Sequence, residues 1–556
     1  MASHGLTSSS VRIVPLGGLG EIGLNLTVVE CAGRAIVIDA GVMFPEERTL
    51  GTGVLAPDLA YLEQARLEIL GVVLTHAHED HVGGLPHLLR RFNVPVYGTG
   101  VTLAFARRRL DEEGLIGARM NTIEPRRRFE LGPFGIEPIR VTHSTPDSVA
   151  LAIWTPAGLI VHSGDFKIDP TPIDGELFDR ERFATLGAEG VALLMSDSTN
   201  VERIGRSGAE SSIKPVLREI ASGSRGKFFL SVFSSHLHRI RQLTEVSREM
   251  GRRVVPLGRR MAESVRLGLE LGQLPCAPGT YLDPAEAEFL EPRKLTFLAS
   301  GSQGEPLSAL VRIAAGAHPR VRVEPGDTVV LSSRFIPGNE RTINTLVNRL
   351  YKRGAEVFYE AVAPVHVSGH AYRDELAELI ALVRPKYFVP IHGEYRHLRR
   401  HLALAAASGV PEANCFLLED GEPLTLSAGP TANRARAVEA GRILVEDGEF
   451  GDPALLGERR TLGRDGTVFA VIAVSSKTGA IVGGPELVSR GLVIGDGTSA
   501  HMRRARVQLA ERLNRVEGPF SAEGTTLREE IVHTLRNYFS HALGKRPLIV
   551  PHIMEV

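Results

Sequence analysis

Short apolar runs separated by Gly-rich turns fill the first 200 residues. Val11–Leu16, Leu24–Glu30 and Ala35–Asp39 read as short strands joined by tight connections. Leu67–Thr75, Ile139–His143, Leu159–His162 and Val191–Met195 read as buried strands that end in polar loops. From about Asn200 to Ala355 the pattern turns more helical. Strands at Lys227–Phe233, Lys294–Ala299 and Thr328–Ser332 each run into a Gly/Ser turn and then a helix-like segment, which is alternating α/β patterning. Glu356–Leu426 returns to strand-loop-helix units, and Ser427–Arg442, rich in Ala, Gly and Arg with weak periodicity, reads as a linker. Beyond it, a strand at Thr467–Val474, helical patterns at His501–Arg515 and Thr525–Ala542, and a last strand at Pro547–Val550 predict a small α/β domain. No internal repeat and no low-complexity tract interrupts this order.

Composition narrows the class. With 556 residues, 43% of them hydrophobic and 23% charged, the chain has the make-up of a multidomain globular protein rather than a disordered one. No run approaches the roughly 18 apolar residues of a membrane helix. Met1–Ser10 is polar and lacks the layout of a secretory signal. Cys31, Cys276 and Cys415 are too few and too far apart for a disulfide framework, so a reducing cytoplasm is the expected compartment. The net charge of −1 rules out a globally basic coat for nucleic acid. The basic residues are nonetheless 56 arginines and 8 lysines, and codon bias or phosphate binding would both produce that excess.

Gly18-Leu-Gly20-Glu-Ile-Gly23 fits the dinucleotide fingerprint, but that site needs a helix after the glycines. Leu24–Glu30 reads as strand instead, so these glycines are expected in a hairpin that brings backbone close to a site. The sharp signal is Thr75-His76-Ala-His78-Glu79-Asp80-His81, after the strand Gly71–Thr75 and before a helical stretch starting near Val82. So many imidazoles and carboxylates in six residues are costly to bury without a metal or partners, and they suit zinc, manganese or iron. In a turning loop His76 and His78 can face one position while Asp80 and His81 face a neighbouring one, so one motif can feed two ions. His143, Asp165 and His392 each follow an apolar strand at a polar loop and are candidates to complete the two shells. Asp165 is the natural bridge, since a carboxylate binds two ions at once. Asp39, ending Ala35–Asp39, is a candidate to orient the histidines from behind, with a cap or turn role equally open.

The HxHxDH pattern with a downstream His, Asp and His resembles the metallo-β-lactamase superfamily. The resemblance implies an α/β fold, a four-layer αββα sandwich with its site at one edge between two sheets. One ion would be held by His76, His78, His143 and Asp165, and the other by Asp80, His81, Asp165 and His392. Asp197 in Ser196–Asn200, His370 in His366–His370, and His392 match the three motifs that bracket the inserted domain of the beta-CASP nucleases. A histidine at the last motif goes with RNA rather than DNA in that group. Gly17–Asn25, Ser300–Pro306, Ile336–Glu340 and the ending Lys545–Val556 resemble the bacterial ribonuclease J family. The implied organisation is a metallo-β-lactamase domain in two parts (1–204 and 356–426), an inserted α/β beta-CASP domain (205–355), a linker (427–455), and a small C-terminal α/β domain (456–556) for oligomerisation.

Function follows as an expectation. Two divalent ions, zinc or manganese, would drive phosphodiester hydrolysis that leaves 5′-phosphate and 3′-hydroxyl ends. Asp80, Asp197 and His370 would be catalytic. Single-stranded RNA with a 5′-monophosphate would be degraded 5′-to-3′, with additional internal cuts, in RNA maturation and decay. Phe233, Ser234, Ser235 and His236, where a strand meets a Ser-capped helix, would form a phosphate pocket closed by His366, Val367, Ser368, Gly369 and His370. A pure capping role for Ser234 and Ser235 stays open, Ser302, Gln303 and Gly304 share the ambiguity, and Arg107–Arg109 and Arg126–Arg128 read as solvated faces before RNA contacts. A homodimer or tetramer, partners in an RNA-degradation complex, a cytoplasmic location and no membrane complete the expectation. A DNA-directed beta-CASP nuclease, a small-molecule hydrolase and a non-catalytic RNA-binding subunit are the rival readings.

Overall fold

The computed structural model describes residues 9–43, 53–275, 277–305, 307–335, 339–429, 431–446, 449–450, 453–492, 498–515, 520 and 525–556. Expectations that touch residues 1–8, Cys276, Pro306, Ile336–Gly338, and positions 430, 447–448 and 451–452 of the linker lie outside them. Two compact units emerge. One holds the described residues up to 43 and from 55 to 442, and the other holds 53–54 and those from 443 onward.

The first unit contains two sheets face to face. The eight-stranded sheet runs, in spatial order, Thr431–Arg434, Leu424–Ser427, Ser10–Gly17, Leu26–Cys31, Arg34–Ile38, Glu68–Val73, Val96–Gly98 and Met120–Thr122. The six-stranded sheet runs Tyr387–Ile391, Val191–Asp197, Gly158–His162, Val149–Thr155, Phe134–Arg140 and Phe129–Leu131. Val11, Ile13, Val29, Ile36, Ile38 and Val73 of the first meet Ile136, Leu151, Ile160, Leu193 and Val389 of the second in one apolar layer. Ala35 and Val37 point the other way, into helices Leu85–Arg91 and Gly100–Glu112. Both faces of Arg34–Ile38 are therefore buried, which is why it reads as one apolar run rather than an alternation. Phe183, Leu186, Leu379, Ile380, Leu402 and Ala405 from three helices cover the outer face of the second sheet. The result is the αββα sandwich expected.

The inserted segment forms a five-stranded, all-parallel sheet ordered Arg253–Leu257, Leu295–Ala299, Phe228–Ser231, Thr328–Leu331 and Glu356–Phe358. Helices bury both faces, as parallel sheets require. Strand order reverses between Phe228–Ser231 and Thr328–Leu331. In open α/β sheets, the loops after the carboxyl ends at such a reversal form the ligand crevice. One of its apolar clusters takes in Ala77, Val101 and Phe105 of the sandwich. The inserted domain thus packs onto the residue between His76 and His78.

In the second unit, Thr467–Val474 lies between antiparallel Ile481–Arg490 and parallel Leu548–Glu555. Val468, Ala470, Ile472 and Val474 face helices Thr498–Leu513 and Thr525–Leu543. No helix among the described residues is long and apolar enough to cross a membrane.

Several expectations shift. The linker 427–455 carries regular structure: Thr431–Arg434 folds back on Leu424–Ser427 as an edge strand, and the helix Pro453–Asp465 begins inside it. Weak side-chain periodicity concealed the strand, because an open sheet edge recruits backbone N–H and C=O groups. Glu356–Phe358 closes the inserted sheet, so that domain runs past the 355 boundary. The strand placed at Ile139–His143 is Phe134–Arg140, and His143 lies three residues beyond its end. The terminal strand is longer than Pro547–Val550 and reaches Glu555.

Leu193, fully buried between the two sheets, tests the sandwich core. Leu193→Ala is expected to destabilise this unit by about 2–5 kcal/mol, read by urea denaturation.

Candidate metal centre

The ligand motif straddles a loop and a helix. The strand Glu68–Val73 ends, Leu74 still pairs through its N–H with the Tyr97 carbonyl at 2.8 Å, and the chain turns into helix Glu79–Val82 with His78 at its N-cap. The helix therefore starts at Glu79 rather than near Val82, and Asp80 and His81 project from its first turn. Gly41 is required here. A Cβ at that position would lie 1.7 Å from the Asp80 carbonyl oxygen. Asn25, at the end of the glycine-rich loop, donates from N and from Nδ2 to that same oxygen, both at 3.1 Å. The loop does follow the expected hairpin course. Its Leu19–Gly20 pairs with Gly393–Glu394, directly after His392.

The hydrogen bonds fix which nitrogens are free for a cation. Thr75 Oγ1 donates to Asp39 Oδ2 at 2.8 Å, so it accepts from His76 Nδ1 at 3.0 Å, leaving a lone pair on His76 Nε2. His143 Nδ1 donates to the Gly369 carbonyl at 2.7 Å, leaving Nε2 free. His78 Nε2 bonds Ser144 Oγ at 3.0 Å, and its Nδ1 faces both His76 Nε2 and His143 Nε2 at 3.1 Å. Three imidazole lone pairs converge, with Asp165 Oδ2 buried beside them and lacking any hydrogen-bond partner. Facing lone pairs repel unless a cation lies among them.

A second cluster repeats the pattern. His81 Nδ1 donates to Asp39 Oδ2 at 2.7 Å, which turns Nε2 towards Asp165 Oδ2 at 3.3 Å and Asp80 Oδ2 at 3.7 Å. Thr199 Oγ1 donates to Asp197 Oδ1 and accepts from His392 Nδ1, both at 2.7 Å. His392 Nε2 then faces Asp80 Oδ2 at 3.1 Å and Asp165 Oδ2 at 3.8 Å. His370 Nδ1 donates to Asp197 Oδ2 at 2.8 Å. Ligand atoms of His76, His78, His143 and Asp165 lie within 4.8 Å of one another, as do those of Asp80, His81, Asp165 and His392, and those of Asp165, Asp197, His370 and His392.

Electrostatics divides the clusters. Burial holds His76 and His143 well below the ordinary imidazole range and lowers His78 to about 4, so these rings are neutral. Burial also opposes charge on His81, but Asp165, Asp80 and Asp39 outweigh it and push His81 up to about 10. His392 is raised for the same reason. In the metal-free protein, protons on these imidazoles balance the carboxylates, and a divalent cation would replace that charge. The donor set of imidazole nitrogens and carboxylate oxygens fits a divalent metal.

The structure brings together every expected metal-site residue, with Asp39 behind them, bonded to Thr75 and His81. Of the expected phosphate pocket, His236 and His366 each keep one buried ring nitrogen without a hydrogen bond, Nε2 and Nδ1 respectively, with Glu210 Oε1 3.8 Å from His236 Nε2. Phe233 is exposed, Ser234 and Ser235 are half-buried, and Ser368 and Gly369 line the loop that accepts from His143. Val367 packs at the edge of the inserted sheet's apolar cluster. One expectation changes: helix Leu237–Glu249 is capped by His236 Nδ1, which accepts from Arg239 N, and not by either serine. The arginine clusters are engaged internally. Arg126 pairs with Asp179 and Glu181, Arg128 covers Trp154, Arg108 donates to Ser264, and Arg109 lies 3.4 Å from Glu112. Sequence reasoning missed Asn25, Thr199 and Asn200 as partners of the site, although each lies inside a stretch already singled out, where a side-chain amide or hydroxyl gives no spacing signal.

Comparisons with known proteins show what this chain is similar to. Residues 20–213 match the family model described as metallo-beta-lactamase superfamily, and 225–350 match ribonuclease J, beta-CASP domain. Residues 354–417 match the Zn-dependent metallo-hydrolase RNA specificity domain, and 454–556 the ribonuclease J C-terminal domain. Ribonuclease J of Synechocystis sp. is 40% identical over 490 residues, covering 88% of this chain and 76% of that protein. Ribonuclease J 1 of Streptococcus pyogenes is 35% identical over 100% of this chain and 99% of its own length. Ribonuclease J of Thermus thermophilus is 38% identical over 100% and 96%. A crystal structure of a protein of unknown function from Enterococcus faecalis V583 aligns with a TM-score of 0.51 at 16% identity, over 75% of this chain and 100% of that one, which shows the fold alone.

Asp39 touches no expected metal position yet holds His81 and Thr75. Asp39→Asn is expected to weaken zinc or manganese binding by about 10- to 100-fold, read by calorimetric titration of the metal-free protein.

Proposed function

Because the chain belongs to the ribonuclease J family, a group of metal-dependent nucleases acting on RNA, we propose that it degrades RNA from a 5′-monophosphate end, 5′-to-3′, with additional internal cleavage. The observation that carries this reading is the convergence of imidazole lone pairs and unpaired carboxylate oxygen beside a buried, partner-seeking pair of histidines. In the proposal, His76, His78, His143 and Asp165 hold one divalent ion, and Asp80, His81, Asp165 and His392 hold a second. Bound there, such ions lower the pKa of water and stabilise negative charge on a phosphoryl group.

The chain's own residues do the rest. Asp39, Thr75, Thr199 and the Gly369 carbonyl fix tautomers so that each ligating nitrogen presents its lone pair inward. Asp197 holds the His370 imidazole through Nδ1, and its charge favours the protonated ring. His370 is thereby placed to stabilise the phosphoryl oxygens or to hand a proton to the leaving 3′ oxygen. Asp197 itself is held by the Ser163 hydroxyl and by the N–H and hydroxyl of Thr199.

For the 5′ end, the loop Val232–His236 follows the central strand of the inserted sheet at its order reversal, where ligands of such sheets bind. Burial, and the neighbouring Arg239, His238, His366 and His78, hold His236 well below its ordinary value. With Nδ1 accepting the Arg239 N–H, its Nε2 carries the hydrogen; it makes no hydrogen bond, with Glu210 Oε1 3.8 Å away, and can donate to a phosphate. Ser234 and Ser235, free of capping duty, add hydroxyls. Phe233, His366, Val367, Ser368, Gly369 and His370 complete this proposed pocket, which would select a monophosphate and set the cleavage point one nucleotide inside. Asp80, Asp197 and His370 are the proposed catalytic residues. Zinc or manganese as the working metal, a homodimer or tetramer assembled through residues 456–556, partners in RNA degradation and a cytoplasmic location belong to the same proposal, as do the domain boundaries at 204 and 426.

Product analysis on 5′-monophosphate and 5′-hydroxyl RNA, repeated with zinc and manganese, tests the reading. Mononucleotide release that needs the 5′ phosphate is expected, and equal or better cleavage of a matched DNA strand overturns it. Asp80→Ala is expected to abolish cleavage while RNA binding stays measurable; unchanged cleavage rejects the two-ion mechanism.

A further inference from the structure

We propose that Arg334, carried by the inserted domain, is an RNA-phosphate contact of this active site, held in place by Asn200 and Gln303. The proposal rests on the ribonuclease reading above and adds a residue to it. Arg334 lies three residues beyond strand Thr328–Leu331, on the carboxyl-end side of the order reversal. Gln303, buried in the neighbouring loop, donates from Nε2 to Ser333 Oγ at 3.1 Å and to the Arg334 carbonyl at 2.7 Å. That clamp sets the backbone from which the side chain leaves. It also gives a role to the Ser302–Gly304 stretch, whose purpose the sequence left open.

The side chain then crosses to the sandwich. Arg334 Nη1 donates to Asn200 Oδ1 at 2.7 Å. Asn200 Nδ2 donates to Ser368 Oγ at 2.7 Å and to the His370 carbonyl at 3.3 Å. A guanidinium only donates and a carbonyl only accepts, so the amide has one possible orientation. Arg334 is thus one side chain removed from the loop that carries Ser368 and His370.

Its charge feels Glu360, and repulsion from Arg203 and Arg396, but has no carboxylate within ion-pair distance among the described residues. Other arginines nearby face carboxylates: Arg203 lies 3.8 Å from Glu360, Arg396 lies 2.6 Å from Glu202 and 3.0 Å from Glu394, and Arg400 lies 2.8 Å from Glu202. Arg334, half-buried, has a neutral amide oxygen as its acceptor and forms no ion pair among the described residues. A partly desolvated guanidinium with unused N–H donors favours an anion, and its planar fork matches phosphate oxygens. At this place the arriving anion is the RNA backbone.

A purely structural pin between the domains predicts a different response from a phosphate contact, and salt dependence separates them. RNA affinity is measured against salt in the full chain carrying Asp80→Ala, which binds without turnover. Arg334→Gln keeps a donor for Asn200 but removes the charge, and Arg334→Lys keeps the charge. Losing one contact to a single strand is expected to lower the slope of log affinity against log salt by about 0.7 for Arg334→Gln, while Arg334→Lys holds it. With Asp80 restored, kcat/KM for RNA is expected to fall about ten- to a hundredfold for Arg334→Gln. An unchanged salt slope for Arg334→Gln overturns the phosphate contact, even if activity drops. Failure of the unsubstituted chain to cleave RNA would instead overturn the ribonuclease reading on which it rests.

Discussion

Burying several carboxylates in one place is the constraint that organises this molecule. Asp39, Asp165 and Asp197 are nearly inaccessible and Asp80 is half-buried, all within reach of the same imidazoles. Charge of one sign at such density is unfavourable in a medium of low polarity unless cations or protons balance it. The histidines answer in two ways. His76, His78 and His143 are neutral and turn lone pairs inward, whereas His81 and His392 take up protons when no metal is present. Both behaviours come from the same hydrogen-bond scaffold, in which every Nδ1 or Nε2 pointing away from the centre has a partner.

That scaffold needs rigid supports, and the sandwich supplies them. The candidate ligands come from loops at the ends of strands in two different sheets, and the sheets are locked by a shared apolar layer. The inserted domain adds a third support. Its apolar cluster reaches Ala77, and its buried Arg239 holds Glu210 through two hydrogen bonds while donating to the Val365 carbonyl, next to His366. The bond from Arg239 to Val365, and the relay from Arg334 through Asn200 to Ser368 and His370, tie the segment Val365–His370 to the inserted domain. One set of bonds therefore positions both His366 and His370.

The layers were legible in the sequence because two-sided burial writes long apolar runs such as Ala35–Ile38 and Val191–Met195. The ligand cluster was legible because chemistry concentrates His and Asp at strand ends. Less visible were features that leave no side-chain pattern. Thr431–Arg434 forms a strand through backbone pairing at an open edge, and Glu356–Phe358 joins the inserted sheet across a boundary that composition does not mark. The cap of Leu237–Glu249 is a histidine ring, where the preceding serines suggested the ordinary solution. Arg334 looked like one of 56 arginines, since the lack of an ion pair among the described residues is a property of three-dimensional neighbours and not of local sequence.

Two of the site residues occupy a backbone conformation that glycine would adopt more easily. Asp39 has φ of 60° and His392 has φ of 51°. For a residue with a Cβ, such a conformation costs on the order of 1–3 kcal/mol. Each is over-determined by its surroundings. Asp39 donates its N–H to the Val73 carbonyl and accepts three hydrogen bonds, from the N–H and hydroxyl of Thr75 and from His81. The His392 carbonyl accepts from Ser198 N, and its ring Nδ1 donates to Thr199 Oγ1. Glycine would relieve the strain but remove the carboxylate or the imidazole. The left-handed turn aims each side chain off the end of its strand and back towards the centre, where a relaxed extended residue would continue along the strand instead. Strain at these two positions is therefore the local cost of converging groups from separate sheets, and the hydrogen bonds around them offset it.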